Sequence, residues 1–281
     1  MNKVIFVRFR ASLVVLLLLA TSLLVTAQNL PNVQKESLRA PANIKVDGRA
    51  TEWGNRFQAY NKTTQIFYTI ANDDNNLYLT VQATEPVIIQ KIITHGMVFS
   101  VNNSNKDIKP LSVTFPILTN ADYGRIITNL NTDPARNLTD SSAIRKRNDS
   151  LVYAMNNQLT SKLKEIGVEN IPGITDTRIS VYNETGIKAI TFFENKKTLT
   201  CEFAIPVKLL AQTEKLNYTI KLNGSISDRE NNVTTEVNGG YIRRSSPGSM
   251  TVEIKATPHA LALLAIGDPT EFSGEYTLAK K

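Results

Sequence analysis

The sequence offers few side chains that could act as a nucleophile or a general base. It contains one cysteine, Cys201, and two histidines, His95 and His259. Cys201 lies in a strand-like run, residues 199–205, where a small buried side chain is the first interpretation and a catalytic thiol the alternative. The sequence shows neither a nucleophile-elbow glycine pattern nor a His or Cys spacing typical of metal sites. We therefore predict that the protein is not an enzyme.

Aromatic and arginine side chains in two long polar stretches are the candidates for ligand binding. The stretches cover residues 120–149 and 224–250 and have little hydrophobic periodicity. The candidate residues are Tyr123, Arg125, Tyr241, Arg243 and Arg244. Aromatic rings stack on the faces of sugars, and arginine binds hydroxyl groups or carboxylates through its planar fork. Solvated loop residues without a ligand are the alternative.

An acidic turn offers oxygen atoms that could hold a cation. The run Asn72-Asp-Asp-Asn-Asn76 places Asp73 and Asp74 between two strand-like stretches. Carboxylate and amide oxygens are the ligands that Ca²⁺ prefers. Asn and Asp are also the usual residues of a plain turn, because their short side chains bond to the local backbone. The plain turn is the first interpretation and a calcium site is the alternative; no other cofactor is predicted.

Residues 1–27 have the three parts of a cleaved secretory signal. Lys3, Arg8 and Arg10 precede an apolar run of about 15 residues, and small residues follow up to Ala27. A retained anchor is the weaker alternative, because a spanning helix needs about 20 apolar residues. We predict cleavage near Ala27–Gln28, no transmembrane span in the mature chain, and a location in the periplasm, in the cell envelope or outside the cell.

The remaining chain predicts one large domain that does not bind nucleic acid. The net charge of +7 falls to +4 once the three leader cations are removed, and the rest is spread along the chain. A single cysteine cannot form an intrachain disulfide, so the fold must depend on its hydrophobic core. We interpret residues 28–39 as a flexible N-terminal tether and residues 40–281 as a single domain.

Short stretches of alternating apolar and polar residues predict many β-strands. Residues 65–71 and 77–83 flank the acidic turn and predict a hairpin, and residues 178–182 and 187–193 predict a second one. Further strand-like runs cover residues 91–94, 97–101, 111–115, 199–205, 217–223 and 272–278. Many short strands separated by turns indicate a mostly β protein with an antiparallel β-sandwich.

One amphipathic helix interrupts the strands. Its apolar positions are Met155, Leu159, Leu163 and Ile166. They recur at helical spacing, and Gly167 follows as a C-cap. We expect a helical insertion near residues 120–167, with this one helix packed on the sandwich.

Three stretches of the chain resemble parts of the family 9 carbohydrate-binding modules and their DOMON-like relatives. Residues 44–53, with Asp47, Gly48 and Trp53, are similar to the opening I-D-G-x-x-x-E-W pattern of that family. Residues 68–81 are similar to its strand, D-D-x-x-L-Y turn and strand, and residues 201–210 to its late E-x-x-I-P strand and helical turn. The chain also resembles secreted proteins of Bacteroidetes-type bacteria.

The resemblance implies a jelly-roll type sandwich that binds carbohydrate, with calcium in some relatives. Sugar-binding members hold their ligand with stacked aromatic rings, often two tryptophans, whereas this chain has only Trp53. We interpret Trp53 as a structural residue that plugs the end of the sandwich beside the tight turn at Asp47 and Gly48. Other relatives hold haem with Met and His, but His95 and Met97 are too close in sequence to bind opposite faces of an iron.

These observations favour a secreted, non-catalytic carbohydrate-binding module, with a polysaccharide or another glycan as its partner. The alternative is an envelope protein whose sandwich contacts other proteins or has a structural role, without a sugar ligand. A binding surface lined by aromatic side chains would favour the first of these functions.

Overall fold

The computed structural model describes residues 30–54, 56–102, 109–210, 214–224, 234–237, 240–243 and 265–281. The predicted secretory signal lies outside these residues. The helices are α1 (Pro86–His95), α2 (Asn120–Asn131) and α3 (Ser141–Lys162). The strands are β1 (Ala59–Asn61), β2 (Ile66–Asn72), β3 (Asn76–Ala83), β4 (Met97–Asn102), β5 (Leu111–Phe115), β6 (Glu165–Glu169), β7 (Arg178–Ser180), β8 (Lys188–Asn195), β9 (Thr198–Pro206), β10 (Lys215–Leu222), β11 (Thr234–Val237), β12 (Gly240–Arg243) and β13 (Thr270–Thr277).

Two antiparallel sheets contain most of these strands, as predicted for a β-sandwich. Sheet I has five strands in the order β1-β2-β3-β9-β8, and sheet II has six in the order β13-β10-β4-β5-β6-β7. Strands β11 and β12 form a separate hairpin. Neighbours in sheet I such as β3 and β9 are distant in sequence, so the sheet depends on long-range pairing.

The sheets pack face to face through the alternating side chains of their strands. Phe203 of sheet I and Phe99 of sheet II have ring centroids 6.3 Å apart. A buried hydrogen bond of 3.0 Å joins the hydroxyls of Tyr68 in β2 and Tyr218 in β10. Side chains from both sheets and from all three helices form one buried apolar cluster. The interior is therefore a single core, as a sandwich of two sheets requires.

The first predicted hairpin is confirmed and the second is wrong. Strands β2 and β3 pair across the acidic turn. Strand β7 pairs with β6 in sheet II, whereas β8 pairs with β9 in sheet I. The connection therefore crosses from one sheet to the other, and Asn183 holds this turn by donating to the carbonyls of Ser180 and Ile187, both at 2.8 Å. Adjacent strands in sequence usually pair, and here they do not.

The strand predicted over residues 91–94 is wrong, because these residues belong to α1. Pro86 begins the helix, where its missing N–H costs nothing. The buried isoleucines are Ile88, Ile89, Ile92 and Ile93. The second pair, Ile92 and Ile93, follows the first pair, Ile88 and Ile89, by four residues, which is about one helical turn. The four side chains therefore make one apolar face toward the core. A run of β-branched residues is typical of a strand, and the helical period overrides that preference here.

The insertion at residues 120–167 contains two helices where one was expected. Thr119 caps α2 and Asp140 caps α3, each through a backbone N–H three residues later. The predicted C-cap Gly167 lies instead in β6, paired with Thr114, where a Cβ would be 3.0 Å from that side chain. The described helices include none that is both long and apolar enough to cross a lipid bilayer.

Residues 31–40, the N-terminal strap, lie along the edge of sheet I and take the place of a strand. Strand β1 pairs with β2 only as far as Tyr68, so on this edge of the sheet the backbone of Ile70 has no strand beside it, whereas β3 lies on its other side. The Gln34 side chain, 5% exposed, fills this position. It accepts a hydrogen bond from the Ile70 N–H and donates one to the Ile70 carbonyl, both at 2.8 Å. The residues predicted to be a flexible tether are thus held from residue 31 onward.

Asn72, at the end of β2, forms hydrogen bonds with both the N-terminal strap and the C-terminal segment. Its backbone exchanges hydrogen bonds with Leu38 and Ala40 of the strap, at 3.0 and 2.9 Å. Its side-chain oxygen accepts from the Ala279 N–H at 2.7 Å and from the Tyr276 hydroxyl at 2.9 Å. Burial raises the pKa of Tyr276 to about 12, so the hydroxyl remains a donor at neutral pH.

We expect Gln34→Ala to lower the free energy of unfolding by about 1–3 kcal/mol. The substitution leaves the buried N–H and carbonyl of Ile70 without partners, which costs their desolvation. Urea unfolding followed by circular dichroism measures the loss. Lys35→Ala, at an exposed neighbouring position, is the matched control and should change the value by less than about 0.5 kcal/mol. Equal unfolding curves for the two variants would contradict a structural role of the strap.

Candidate functional site

The structure describes the side chains of two of the five residues proposed from the polar stretches, Tyr123 and Arg125. Tyr123 lies on α2 with its ring against the core, and its hydroxyl donates to Asn120 at 3.0 Å. Arg125 is exposed on the same helix. Tyr241 and Arg243 lie in β12, and their side chains, like the whole of Arg244, fall outside the described residues. No described contact brings the two groups together, so they remain sequence-based candidates.

The acidic turn has the hydrogen bonds of a plain Asx turn. One carboxylate oxygen of Asp73 accepts from the N–H groups of Asn75 and Asn76, both at 2.7 Å, and the other accepts from Tyr78 at 2.8 Å. Partial burial raises the pKa of Asp73, but these three hydrogen bonds outweigh it and lower the pKa. The carboxylate of Asp74 pairs with Arg39 at 2.9 Å and with Lys281 at 2.6 Å. The oxygens of the calcium candidates are thus engaged by donors.

Cys201 and His95 lie in different elements, Cys201 in β9 and His95 in α1. Cys201 is fully buried in β9, where the Thr191 hydroxyl donates to its sulfur at 3.3 Å. Burial raises the pKa of this thiol to about 12, so it is a thiol rather than a thiolate at neutral pH. His95 ends α1, and burial and the charge of Lys91 lower its pKa. His259 lies outside the described residues.

A buried carboxylate, Glu202, joins the three stretches that resemble the carbohydrate-binding family. Glu202 projects from β9 on the outer face of sheet I, yet it is only 2% exposed. One of its oxygens accepts from the backbone N–H groups of Asp47 at 2.9 Å and Gly48 at 2.8 Å. The other accepts from the Thr80 hydroxyl in β3 at 3.1 Å. Three donors satisfy the carboxylate that the opening stretch covers.

Trp53 completes this network from above the sheet. Its indole N–H donates to the Thr80 oxygen at 3.0 Å, so Thr80 relays between Trp53 and Glu202. Thr80 is on the outer face of sheet I, because its neighbours Leu79 and Val81 point into the core. Trp53 therefore lies on the outside of sheet I and does not plug the end of the sandwich as expected. Its indole N–H forms a hydrogen bond within the protein, and a structural role for Trp53 stays a prediction.

The burial of Glu202 changes its acidity. Burial raises the pKa of this carboxyl to about 7, and the hydrogen bonds from Gly48, Asp47 and Thr80 oppose the rise. Burial penalises the charged form, whereas donors aimed at the carboxylate favour it. The negative charge of Asp47 adds to the rise. The group therefore changes charge near neutral pH.

A neighbouring row of outward-facing side chains on sheet I is left partly exposed. The row crosses all five strands, and each member is the cross-strand partner of the next. Its members, with one residue beside them, form the aromatic–polar strip: Tyr60, Phe67, Gln82, Thr200, Phe192 and Glu194. Thr200 is buried and the other five are half-buried. Because neighbouring strands lie about 4.8 Å apart, the row is roughly 19 Å long.

Aromatic rings make up one end of the strip. The rings of Tyr60 and Phe67 have centroids 4.7 Å apart and are inclined at 49°. Phe57, which is 8% exposed, supports Phe67 from a distance of 5.9 Å. Such tilted packing fixes the orientation of the half-buried rings. The strip therefore presents a rigid apolar surface next to its polar groups.

The middle of the strip has hydrogen-bonding groups with unused capacity. Glu194 Oε1 accepts from Thr200 at 2.7 Å and from Gln82 Nε2 at 3.2 Å. Within the described residues, Glu194 Oε2 and the amide oxygen of Gln82 accept no hydrogen bond. Both are oriented by the bonds that their side chains already make. The arrangement can accept hydrogen bonds from hydroxyl groups of a ligand.

Arg49 and Phe192 make up the other end. The guanidinium carbon of Arg49 lies 4.6 Å from the centre of the Phe192 ring. Gly48, at φ +80°, permits this approach, because a Cβ there would lie 2.5 Å from the Phe192 Cβ. A larger residue at position 48 would push the opening stretch away from the sheet. Gly48 thus has two roles: its N–H donates to Glu202, and its lack of a side chain lets the opening stretch approach Phe192 of the strip.

Sequence reasoning did not find the strip, because its members come from five strands with no shared motif. The alternation in residues 77–83 places Gln82 on the face opposite Leu79 and Val81, which is a usable signal. It does not tell which outward positions the opening stretch would cover. That information requires the contact between Asp47 and Glu202, which are 155 positions apart.

We expect the stability of the protein to fall as the pH rises from about 5 to about 8. The pKa of Glu202 is about 7 in the folded protein and 4.5 in the free side chain. The folded state therefore binds more protons than the unfolded state between these values, and ionisation removes stability on the order of 3 kcal/mol. The Glu202→Gln variant cannot ionise at this position. Its free energy of unfolding, taken relative to that of the wild type, should therefore increase as the pH rises. Urea unfolding across this pH range measures the shift.

The matched control for this test is Glu275→Gln, since Glu275 is 63% exposed in its side chain on β13 and pairs with Lys215. The difference in the free energy of unfolding between Glu275→Gln and the wild type should vary much less with pH. Thr80→Val should destabilise the protein at every pH by about 1–3 kcal/mol, because it removes partners of Trp53 and Glu202. If the curves of the wild type and Glu202→Gln run parallel, the buried carboxyl does not titrate in this range.

No protein-family model, curated protein or solved structure matches this chain. The resemblance to the family 9 modules therefore depends on the three stretches that meet at Glu202. In this protein those stretches form a hydrogen-bonded framework on the outer face of sheet I, next to the aromatic–polar strip. The aromatic–polar strip, which lies beside these three stretches, is therefore the candidate ligand site.

Proposed function

We propose that the protein is a secreted, non-catalytic glycan-binding module whose binding surface is the aromatic–polar strip. The observation that carries this proposal is the row that places half-buried aromatic rings next to an amide and a carboxylate on one rigid sheet. Sugar rings have apolar faces and polar edges, and a site that binds them needs both kinds of contact. The secretory signal predicted from the sequence supports a location where such glycans occur.

The apolar part of the proposed contact is supplied by Phe67 and Tyr60. Both rings are half-buried and supported by neighbours, so little conformational entropy is lost when a sugar packs on them. The polar part is supplied by Gln82 and Glu194, whose oxygens that accept no hydrogen bond from the described residues would accept from sugar hydroxyls. The length of the row suits an oligosaccharide better than a single sugar, because its contacts are distributed across five strands.

The carboxylates near the strip support binding without catalysis. Glycoside hydrolysis uses two carboxyl groups, one on each side of the scissile bond. Glu194 is accessible, but Glu202 is 2% exposed and both of its oxygens already accept hydrogen bonds. Among the described residues, the strip thus offers a ligand one carboxylate, which can orient a hydroxyl but has no partner for acid and base roles.

We expect Phe67→Ala to weaken glycan binding about tenfold, because it removes the central ring of the apolar surface. Binding is found first on an array of bacterial and plant cell-wall glycans and then measured by calorimetry with the best oligosaccharide. Gln82→Ala should also weaken binding, mainly through a smaller enthalpy. Thermal unfolding of each variant shows whether the fold is intact.

Tyr182→Ala is the matched control, since this aromatic ring is 83% exposed in the turn after β7 of sheet II and is not part of the row on sheet I. Its affinity should equal that of the wild type. If Tyr182→Ala and Phe67→Ala reduce binding equally, the strip is not the binding surface. If the folded wild type binds none of the glycans, the proposed function is wrong.

A further inference from the structure

The backbone of Arg49 is anchored, and within the described parts of the chain no carboxylate forms a salt bridge with its guanidinium. Its backbone N–H donates to Asp47 at 3.0 Å, and the two preceding N–H groups are bound by Glu202. The side chain is exposed, yet it lies against the Phe192 ring. Among the described salt bridges, Arg39 and Arg178 pair with acidic side chains and Arg49 does not. A fixed arginine without an acidic partner is prepared to bind an anion.

The guanidinium of Arg49 lies over the Phe192 ring, and this contact is an electrostatic attraction to the face of the ring that needs no hydrogen bond from the N–H groups. The five N–H groups point outward in the plane and match the two oxygens of a carboxylate. Stacking also reduces the conformational entropy that the long side chain would lose on binding. Phe192 thus orients Arg49 without consuming its donors.

The charges around the strip are compatible with an anionic ligand in one orientation. Negative groups on this face include Glu194, which is two positions along β8 from Phe192, and Asp47, which accepts from the Arg49 N–H. The carboxyl of Glu202 also lies below this stretch, but it is buried and accepts from the Gly48 N–H. Glu194 Oε1 is directed toward Thr200 and Gln82, away from the outer edge of the sheet. A ligand carboxylate would therefore approach Arg49, while neutral hydroxyl groups approach Glu194.

We infer that the aromatic–polar strip is selective for acidic glycans, and that Arg49 binds the carboxylate of a uronic acid unit. This inference rests on the proposed function and adds the chemical class of the ligand. The carboxylate lies at the Phe192 end of the row, where Arg49 presents its donors. The apolar faces of the following sugar units lie on Phe67 and Tyr60.

The test compares uronic acid oligosaccharides with their methyl esters, which have nearly the same shape and no charge. The probes are oligomers of galacturonate, of mannuronate and guluronate, and of alternating glucuronate and N-acetylglucosamine, each with its ester. We expect at least one acid to bind roughly tenfold more tightly than its ester. This preference should shrink as salt is added, because exposed charges are screened. Calorimetry measures both affinities.

Variants of Arg49 show whether this side chain binds the carboxylate of the ligand. Arg49→Gln should reduce the ratio of acid to ester affinity to about one, and Arg49→Lys should retain a smaller preference, because a lysine has no planar fork. Arg178→Gln, on edge strand β7 of sheet II, is the control and should keep the ratio of the wild type. Circular dichroism verifies that the variants are folded.

The outcomes separate this inference from the proposed function. Equal binding of acid and ester, or of neutral glycans alone, would overturn the selectivity and leave the glycan-binding function standing. A preference for acids that persists in Arg49→Gln would overturn the role of Arg49. The absence of binding to acids, esters and neutral glycans by the folded wild type would overturn both.

Discussion

The burial of the Glu202 carboxylate is the constraint on which the outer face of sheet I depends. A carboxylate removed from water is costly unless donors replace its hydration. Two of the three donors are backbone N–H groups of Asp47 and Gly48, so the opening stretch must lie flat on the sheet. This placement puts Trp53 above Thr80 and Arg49 above Phe192. The accessible strip is the part of the face that the stretch leaves open.

At the edges of sheet I, side chains also satisfy polar groups that would otherwise lack partners. Unpaired strand edges expose backbone N–H and carbonyl groups, which promotes aggregation. On one side of sheet I the side chain of Gln34 pairs with Ile70. On the other side Asn156 of α3 accepts from the N–H of Phe193 at 2.8 Å and donates to its carbonyl at 2.9 Å. An amide side chain carries both N–H donors and a carbonyl acceptor, so it can form the pair of hydrogen bonds that a backbone unit of a neighbouring strand would form.

Local patterns predicted part of this fold well and part of it poorly. The alternation in residues 77–83 identified β3 and its buried face, because the two-residue period is a property of the strand itself. Ile92 and Ile93 of α1 were taken for part of a strand, since β-branched residues prefer strands and only the packing of the helix reveals their face. The pairing of β7 and β8 was assigned wrongly, because a turn sequence does not tell whether the chain stays in one sheet.

The sequence by itself determined that two antiparallel sheets would bury alternating apolar side chains, because this signal is repeated within each short segment. It also identified Asp47, Gly48 and Trp53 as one motif. The tertiary structure decided what the motif does, since its partners Thr80 and Glu202 come from distant strands. It also decided which outward residues remain accessible. Accessibility depends on which segment covers which face, and no local pattern contains that information.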